Sequence, residues 1–290
     1  MHPEWYLNGP PFIIDAGCAV TRGDDAEAAN MSKRFAIIGD LIAETIGDEI
    51  TPGGGGAIAL ALRNIDGDVT LRSRIGSDDT GDAVMQRLKA ARIHPKHIDR
   101  IAGATSTLTR NEDGTVSNWV PNVVMTKDGV LDIYDLFAHG ALVLDLYDQP
   151  LRQFLIDLPA HTDGKVRMLT TLSHLDHLEP QPDELDIAMR ADTIVGTEEQ
   201  FAKLTGESVA SNALGLIFER MPLTHLRAAV AITGDGIEII ARDTRVLKPI
   251  QDAVPGLLVP QVVAGISWGM ATYADWEVAA EVCMDPAAAR

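Results

Sequence analysis

Residues 52–92 read PGGGGAIALALRNIDGDVTLRSRIGSDDTGDAVMQRLKAAR, and this stretch constrains the fold more than any other. Four consecutive glycines run into an apolar helical register at Ile58, Leu60, Ala61, Leu62 and Ile65. A backbone without side chains thus brings a helix N-terminus up against whatever lies beside it, which is how a small polar ligand is held. Asp66-Gly67 then turns the chain into an apolar strand at Val69 and Leu71. Ile75-Gly76-Ser77-Asp78-Asp79-Thr80-Gly81 leads into a second amphipathic helix. The result is a βαβ-style unit whose loops gather at one edge of a sheet.

The order of glycines, helix, strand and I-G-S-D-D-T-G resembles the ribokinase-like, or PfkB, family of small-molecule kinases. That family couples a GG-x-G-x-N helix start to a strand and V-G-x-D-x-x-G. A second resemblance lies at 191–206, ADTIVGTEEQFAKLTG, where family members read A-D-x-x-x-x-N-x-x-E-x-x-x-L-T-G. A third is AAVAITGDGIEII at 228–240, against a family V-V-T-x-G-x-x-G. The resemblance implies an α/β fold over residues 1–290 as a single domain: a three-layer α/β/α sandwich with a mostly parallel sheet and a small β-sheet lid. It also implies a sugar or nucleoside as ligand, with ATP and Mg²⁺ as cofactors if the chain is active.

Composition narrows the partners. The chain has 290 residues, 46% of them apolar, enough to bury a full core. A formal charge of −18 argues against a nucleic-acid partner, which needs clustered Lys and Arg. Cys18 and Cys283 are too few and too far apart for a disulfide framework or a zinc site, pointing to a reducing cytoplasm. No apolar run is long enough to span a bilayer, and MHPEWYLNGPP lacks the character of a signal peptide.

In chain order, residues 12–20 read as a buried first strand, with Asp15 inside it. By resemblance such a strand ends with a carboxylate that grips substrate hydroxyls, but the equivalent place falls near Thr21. Residues 34–50 and 105–124 alternate apolar and polar and are expected to build the lid, the second around an Asn111–Gly114 hairpin turn. Such a half-buried sheet needs a covering partner, so a homodimer through the lid is expected. The substrate cleft is placed at Asp15, Thr21, Gly53, Gly54, Gly55 and Ala57, the last standing where the family carries Asn. The nucleotide side is placed at Thr197, Gln200, Thr233, Gly234, Gly236 and Gly256. His174 and His177, with Asp176 and Glu179 beside them, read as a solvated loop rather than a metal site.

The C-terminal third departs from the family. Enzymes of this kind read D-T-x-G-A-G-D before an apolar helix; the glycine amides stabilise the transferring phosphoryl group and the last Asp takes the proton from the acceptor hydroxyl. Here Asp252 fits the first Asp, while Leu257, Leu258 or Val259 stands where the base belongs, and no Asp, Glu, His, Lys or Arg occurs between Ala253 and Ala274. Pro255 and Pro260 remove backbone donors from the same stretch. Gln200 replaces the family Glu that organises magnesium, and a neutral amide supplies no charge for that ion. The expectation is therefore a kinase homologue released from phosphotransfer, a pseudoenzyme that binds a ligand or partner. The alternative is an active kinase using Asp252 or Asp235 as an unconventional base.

Overall fold

The computed structural model describes residues 33–127, 139–158 and 166–289. Strands β1 (Arg34–Gly39), β4 (Asp68–Gly76), β5 (Ile98–Ile101), β8 (Ala141–Asp145), β9 (Arg167–Thr171), β10 (Thr193–Thr197), β11 (Ala228–Thr233), β12 (Gly236–Ala241) and β13 (Arg245–Pro249) form one sheet. Its order is β13-β12-β11-β10-β9-β8-β1-β4-β5. All neighbours are parallel except β11-β12 and β12-β13.

A parallel sheet covered on both faces needs strands that are apolar throughout, and β1 shows the consequence. Phe35 and Ile37 pack with helices α1 (Gly55–Asn64), α2 (Asp79–Ala90), α7 (Pro255–Thr272) and α8 (Trp276–Met284). Ala36 and Ile38 point to the opposite face, which carries α3 (Gln149–Asp157) and α4 (Glu184–Ala188). Further along that face, α5 (Glu198–Thr205) and α6 (Ala210–Arg220) cover Ile194, Ala229 and Ala231. A smaller sheet, in the order β3-β2-β6-β7, comprises β2 (Leu41–Ile46), β3 (Glu49–Gly54), β6 (Thr107–Arg110) and β7 (Val116–Val120).

One expectation is corrected. Arg34–Gly39 does not belong to the small sheet; it is β1, a central strand of the main sheet between β8 and β4. Its uninterrupted buried run explains why: a half-exposed strand would have kept one polar face, whereas residues 35–39 are all buried. Only at Asp40 does the chain leave the main sheet for the small one. The expected first strand at 12–20, with Asp15 and Cys18, and Thr21 after it lie outside the described residues.

The chain runs from β1 outward to β4 and β5, then returns to place β8 on the other side of β1. The reversal leaves a crevice at the C-terminal ends of β1 and β8, where open α/β sheets hold their ligands. Gly39 is paired with Asp145 in the register of these strands, and the Asp40 amide donates to the Asp145 carbonyl at 2.9 Å.

Candidate functional site

Gly54 starts the helix that the glycine run delivers. It sits at φ +55°, and a Cβ there would strike the Asp40 backbone carbonyl oxygen. The next amide, Gly55, donates to that oxygen at 3.0 Å. The N-terminus of α1 is thereby held against the end of β1, opposite Asp145 at the end of β8. A cavity of about 370 Å³ opens here between the main and small sheets. Gly54 and Ala57 line it, with Glu44 of β2, Arg110 of β6, Asp145, Tyr147, Ser173, Asp176 and Gly256. Gly53 and Gly55 back this wall, packed against Ile42 and Glu44 in one case and Gly39 in the other.

Glu44 alters the reading of the substrate side. Glu44 of β2, four residues after Asp40, places a carboxylate in the cavity wall. The signal was in the sequence as G-D-L-I-A-E, and taking 34–50 wholly as lid strands hid it.

Two buried acids lie beneath the cavity. Asp40 accepts the Met125 and Tyr147 amides, yet burial raises its pKa to about 7. Asp145 is 3% exposed; its carboxylate accepts the Thr171 hydroxyl at Oδ1 and has Ser173 as a second hydroxyl neighbour, while Oδ2 meets no donor at hydrogen-bond geometry among the described residues. Burial pushes its pKa upward as well.

A second cavity, of about 200 Å³, lies towards α5 and is lined by Asp113, Gly114, Thr197, Glu198, Glu199, Gln200, Lys203, Pro255 and Gly256. Asp176 and Gly256 line both cavities. Between them stands Arg110, whose Nε donates to Glu44 Oε1 at 2.6 Å and whose Nη1 donates to the Gly114 carbonyl at 2.6 Å and approaches Asp176 Oδ2 at 3.4 Å. Glu44 and Asp176 together hold the guanidinium pKa above its ordinary value against the opposing effect of burial. Arg110 thus links the tip of the β6-β7 hairpin to Glu44 and Asp176, while Gly114 packs against Val254 and Gly256 at the start of α7.

That helix start holds few free donors. Pro255 occupies its first position, and the Leu257 and Leu258 amides both donate to the Val254 carbonyl, at 3.0 and 3.3 Å. Asp252 is exposed at φ +52° and lines neither cavity. Asp235 sits in the exposed β11-β12 turn. There Thr233 Oγ1 accepts the Asp235 and Gly236 amides, each at 3.1 Å, so the turn spends on itself the donors that an anion would need. Thr233 and Asp235 face a separate open groove, and a side chain added at Gly234 would point into open space.

Thr197 and Gln200 are used structurally. They form a capping box at the start of α5, with the Thr197 hydroxyl accepting the Gln200 amide and Gln200 Oε1 accepting the Thr197 amide. The Gln200 Nε2 donates to Asp176 Oδ1 at 2.6 Å. Glu198 and Glu199 both face the second cavity, so carboxylates are present there although Gln200 is neutral. Among the described residues no three His, Cys, Asp or Glu side chains are grouped to hold a metal ion. A nucleotide polyphosphate fits poorly: Asp113, Asp176, Glu198 and Glu199 face Lys203 alone, and the Lys203 ammonium is committed to the Leu175 carbonyl at 2.7 Å. Among the described residues this lining offers carboxylates for a cation but no uncommitted cation for the phosphates of a nucleotide.

The histidine segment is corrected too. Ser173–Asp176 form a 3-10 turn rather than a solvated loop. His174 is buried, its Nδ1 3.3 Å from Arg152 Nη1 and its Nε2 3.2 Å from Glu184 Oε1. His177 packs against Trp119 and Tyr147, with ring centroids 4.5 and 5.0 Å away, and burial lowers its pKa to about 4. The buried Arg152–Glu184 pair anchors the turn that projects Asp176 into the cleft. Sequence reasoning had treated Asp176 only as a neighbour of two histidines.

This architecture is the ribokinase-like fold. The chain is similar over 90% of its length to 91% of a fructokinase from Vibrio cholerae O395 in a fructose-, ADP- and calcium-bound form, at TM-score 0.68 and 17% identity. It is similar to Arabidopsis thaliana ribokinase complexed with ribose and ATP at TM-score 0.65 and 15% identity, covering 89% of this chain and 92% of that one. A Burkholderia thailandensis nucleoside kinase in complex with inosine gives TM-score 0.63 and 16% identity, over 88% and 89% of the two chains. No protein-family model and no curated protein sequence matches the chain. Among the described residues no helix is long and apolar enough to cross a membrane.

Proposed function

We propose that this chain is a ribokinase-like protein impaired in phosphotransfer, which works by holding a small polar ligand of sugar or nucleoside type in the cavity between its two sheets. One observation carries this reading. Where an acceptor alcohol and a terminal phosphate would meet, the Arg110–Gly114 hairpin tip is packed against Gly256. The first turn of α7 meanwhile offers neither a carboxylate nor the amides of Leu257 and Leu258. Loss of a general base costs ~10²–10⁴ in rate, and loss of oxyanion donors a comparable further factor. Glu44 in the cavity reduces the count of departures from an active site, but it sits on the ligand side and restores no phosphoryl-holding group. The fructose, ribose and inosine of the three similar structures support the ligand class, since fold alone carries no activity. The same reading places the protein in the cytoplasm, as a homodimer through the small sheet or with another protein partner.

A second reading, an ATP- and Mg²⁺-dependent kinase, is favoured by Asp176, the one carboxylate among the described residues that lines both cavities. Incubation with ATP, Mg²⁺ and a panel of sugars and nucleosides separates the two. The expected result is no ADP above background, together with a thermal shift by at least one sugar or nucleoside; a ligand at 100 times its dissociation constant raises stability by about 2.7 kcal/mol. Turnover that disappears in Asp176→Asn would establish the second reading.

A further inference from the structure

The larger cavity holds an imbalance of charge. Among the described residues three carboxylates line it, from Glu44, Asp145 and Asp176, against the one cation Arg110, with no Lys or His. Arg110 is spent on two of the three, Glu44 at 2.6 Å and Asp176 at 3.4 Å. Asp145 has hydroxyl partners in Thr171 and Ser173 but no cation in contact with it among the described residues. Its Oδ2 is buried without a hydrogen-bond partner and lies against Gly54, another wall residue. The nearby Arg152 offsets this only in part: its charge favours the Asp145 carboxylate, but its hydrogen bonds go to Glu184, the Leu146 carbonyl and His174, outside the cavity wall, and burial still leaves the Asp145 pKa raised.

Resting on the reading of this cavity as a small-ligand site, we propose that it selects a hydroxylated ligand bearing a protonated amine, held at Asp145, over neutral and anionic counterparts. An unpaired buried carboxylate oxygen costs free energy until a donor reaches it. A ligand hydroxyl supplies the hydrogen bond; an ammonium supplies the bond and the missing positive charge together, and charge-assisted bonds are roughly twice as strong. A phosphate or carboxylate on the ligand meets the surplus of negative charge and is turned away. Burial by itself pushes the Asp145 pKa upward, and an ammonium brought against Oδ2 offsets this by favouring the ionised carboxylate, which a neutral ligand does not do.

Isothermal titration of the full chain at neutral pH with D-glucosamine, N-acetyl-D-glucosamine, D-glucose and D-glucose 6-phosphate tests the proposal. Glucosamine should bind on the order of tenfold or more tighter than glucose or the N-acetyl sugar, as an added charge-assisted bond predicts, with the phosphate weakest. Asp145→Asn, which retains an acceptor for Thr171, should bring glucosamine to the level of glucose. Because the N-acetyl comparison uses the unaltered protein, the test stands even if that variant folds poorly. Equal or tighter binding of the neutral sugars, or a preference that survives in Asp145→Asn, overturns the inference and leaves the ligand-binding reading intact. No binding by any of these sugars, nor by inosine, overturns both.

Discussion

A side chain on Gly256 would come within 2.5 Å of the carbonyl oxygen of Gly114, the same oxygen that accepts from Arg110. Gly256 is the second residue of α7, and Gly114 is at the tip of the small-sheet hairpin. Their contact partitions the cleft into two cavities.

Gly256→Ala should therefore lift the hairpin. Forcing an extra methyl into a packed contact costs ~1–3 kcal/mol, and part of that strain is relieved if the 111–115 turn moves away. The expected outcome is a modest fall in Tm accompanied by faster proteolytic cleavage within 111–115. Unchanged cleavage would mean that the hairpin is not held by this contact.

Arg110 makes a sharper test because it is 11% exposed and shares its charge with Glu44 and Asp176, at 14% and 19%. Arg110→Met strands both carboxylates, and breaking a largely buried pair in this way costs about 3–5 kcal/mol. Adding Glu44→Gln should restore part of that loss, so that Arg110→Met/Glu44→Gln is more stable than Arg110→Met alone. Chemical denaturation of the four proteins in the cycle reads the coupling; additive losses would show that the pair contributes nothing beyond its separate side chains.

What could be seen in advance follows from these particulars. The glycine run, the I-G-S-D-D-T-G turn and the helix starting after Thr197 are local patterns, and local patterns survive translation into structure. Asp176 and Arg110 could not be seen, because their meaning arises only when β6, a 3-10 turn and α5 converge from positions 66 residues apart in the case of Arg110 and Asp176. The misassignment of β1 has a related cause. Alternation and continuous burial differ by only a few residues in a six-residue strand, and the deciding fact was its place between β8 and β4.

Gln200 illustrates how a departure becomes structural. Its side chain accepts the Thr197 amide and donates to Asp176 at 2.6 Å while being 1% exposed. Gln200→Glu, which restores the family residue, would put two carboxylates in contact and remove the donor between them. One of the pair must then take a proton or separate. We expect a loss of stability at neutral pH that shrinks on acidification, measured by thermal melts across pH, and no gain in ADP formation. A variant as stable as the parent at neutral pH would show that Asp176 does not depend on the amide.

His177 offers a readout from within the closed cleft. Its ring lies against Trp119 of β7 and Tyr147 after β8, and those two rings are 4.8 Å apart, so the three tie the small sheet to the main one. Burial lowers the imidazole pKa from 6.5 to about 4; Asp176 opposes this, while His174, Arg110 and Lys203 reinforce it. A folded-state pKa below the unfolded value means that the contribution of His177 to stability is fully present above about pH 6.5 and is lost as pH falls through about 4. A protonated imidazole quenches a neighbouring indole, so Trp119 emission should drop with a midpoint near 4 and the drop should vanish in Trp119→Phe and in His177→Gln. A midpoint near 6.5 would mean that the ring is solvated and that the aromatic contact does not hold the two sheets together.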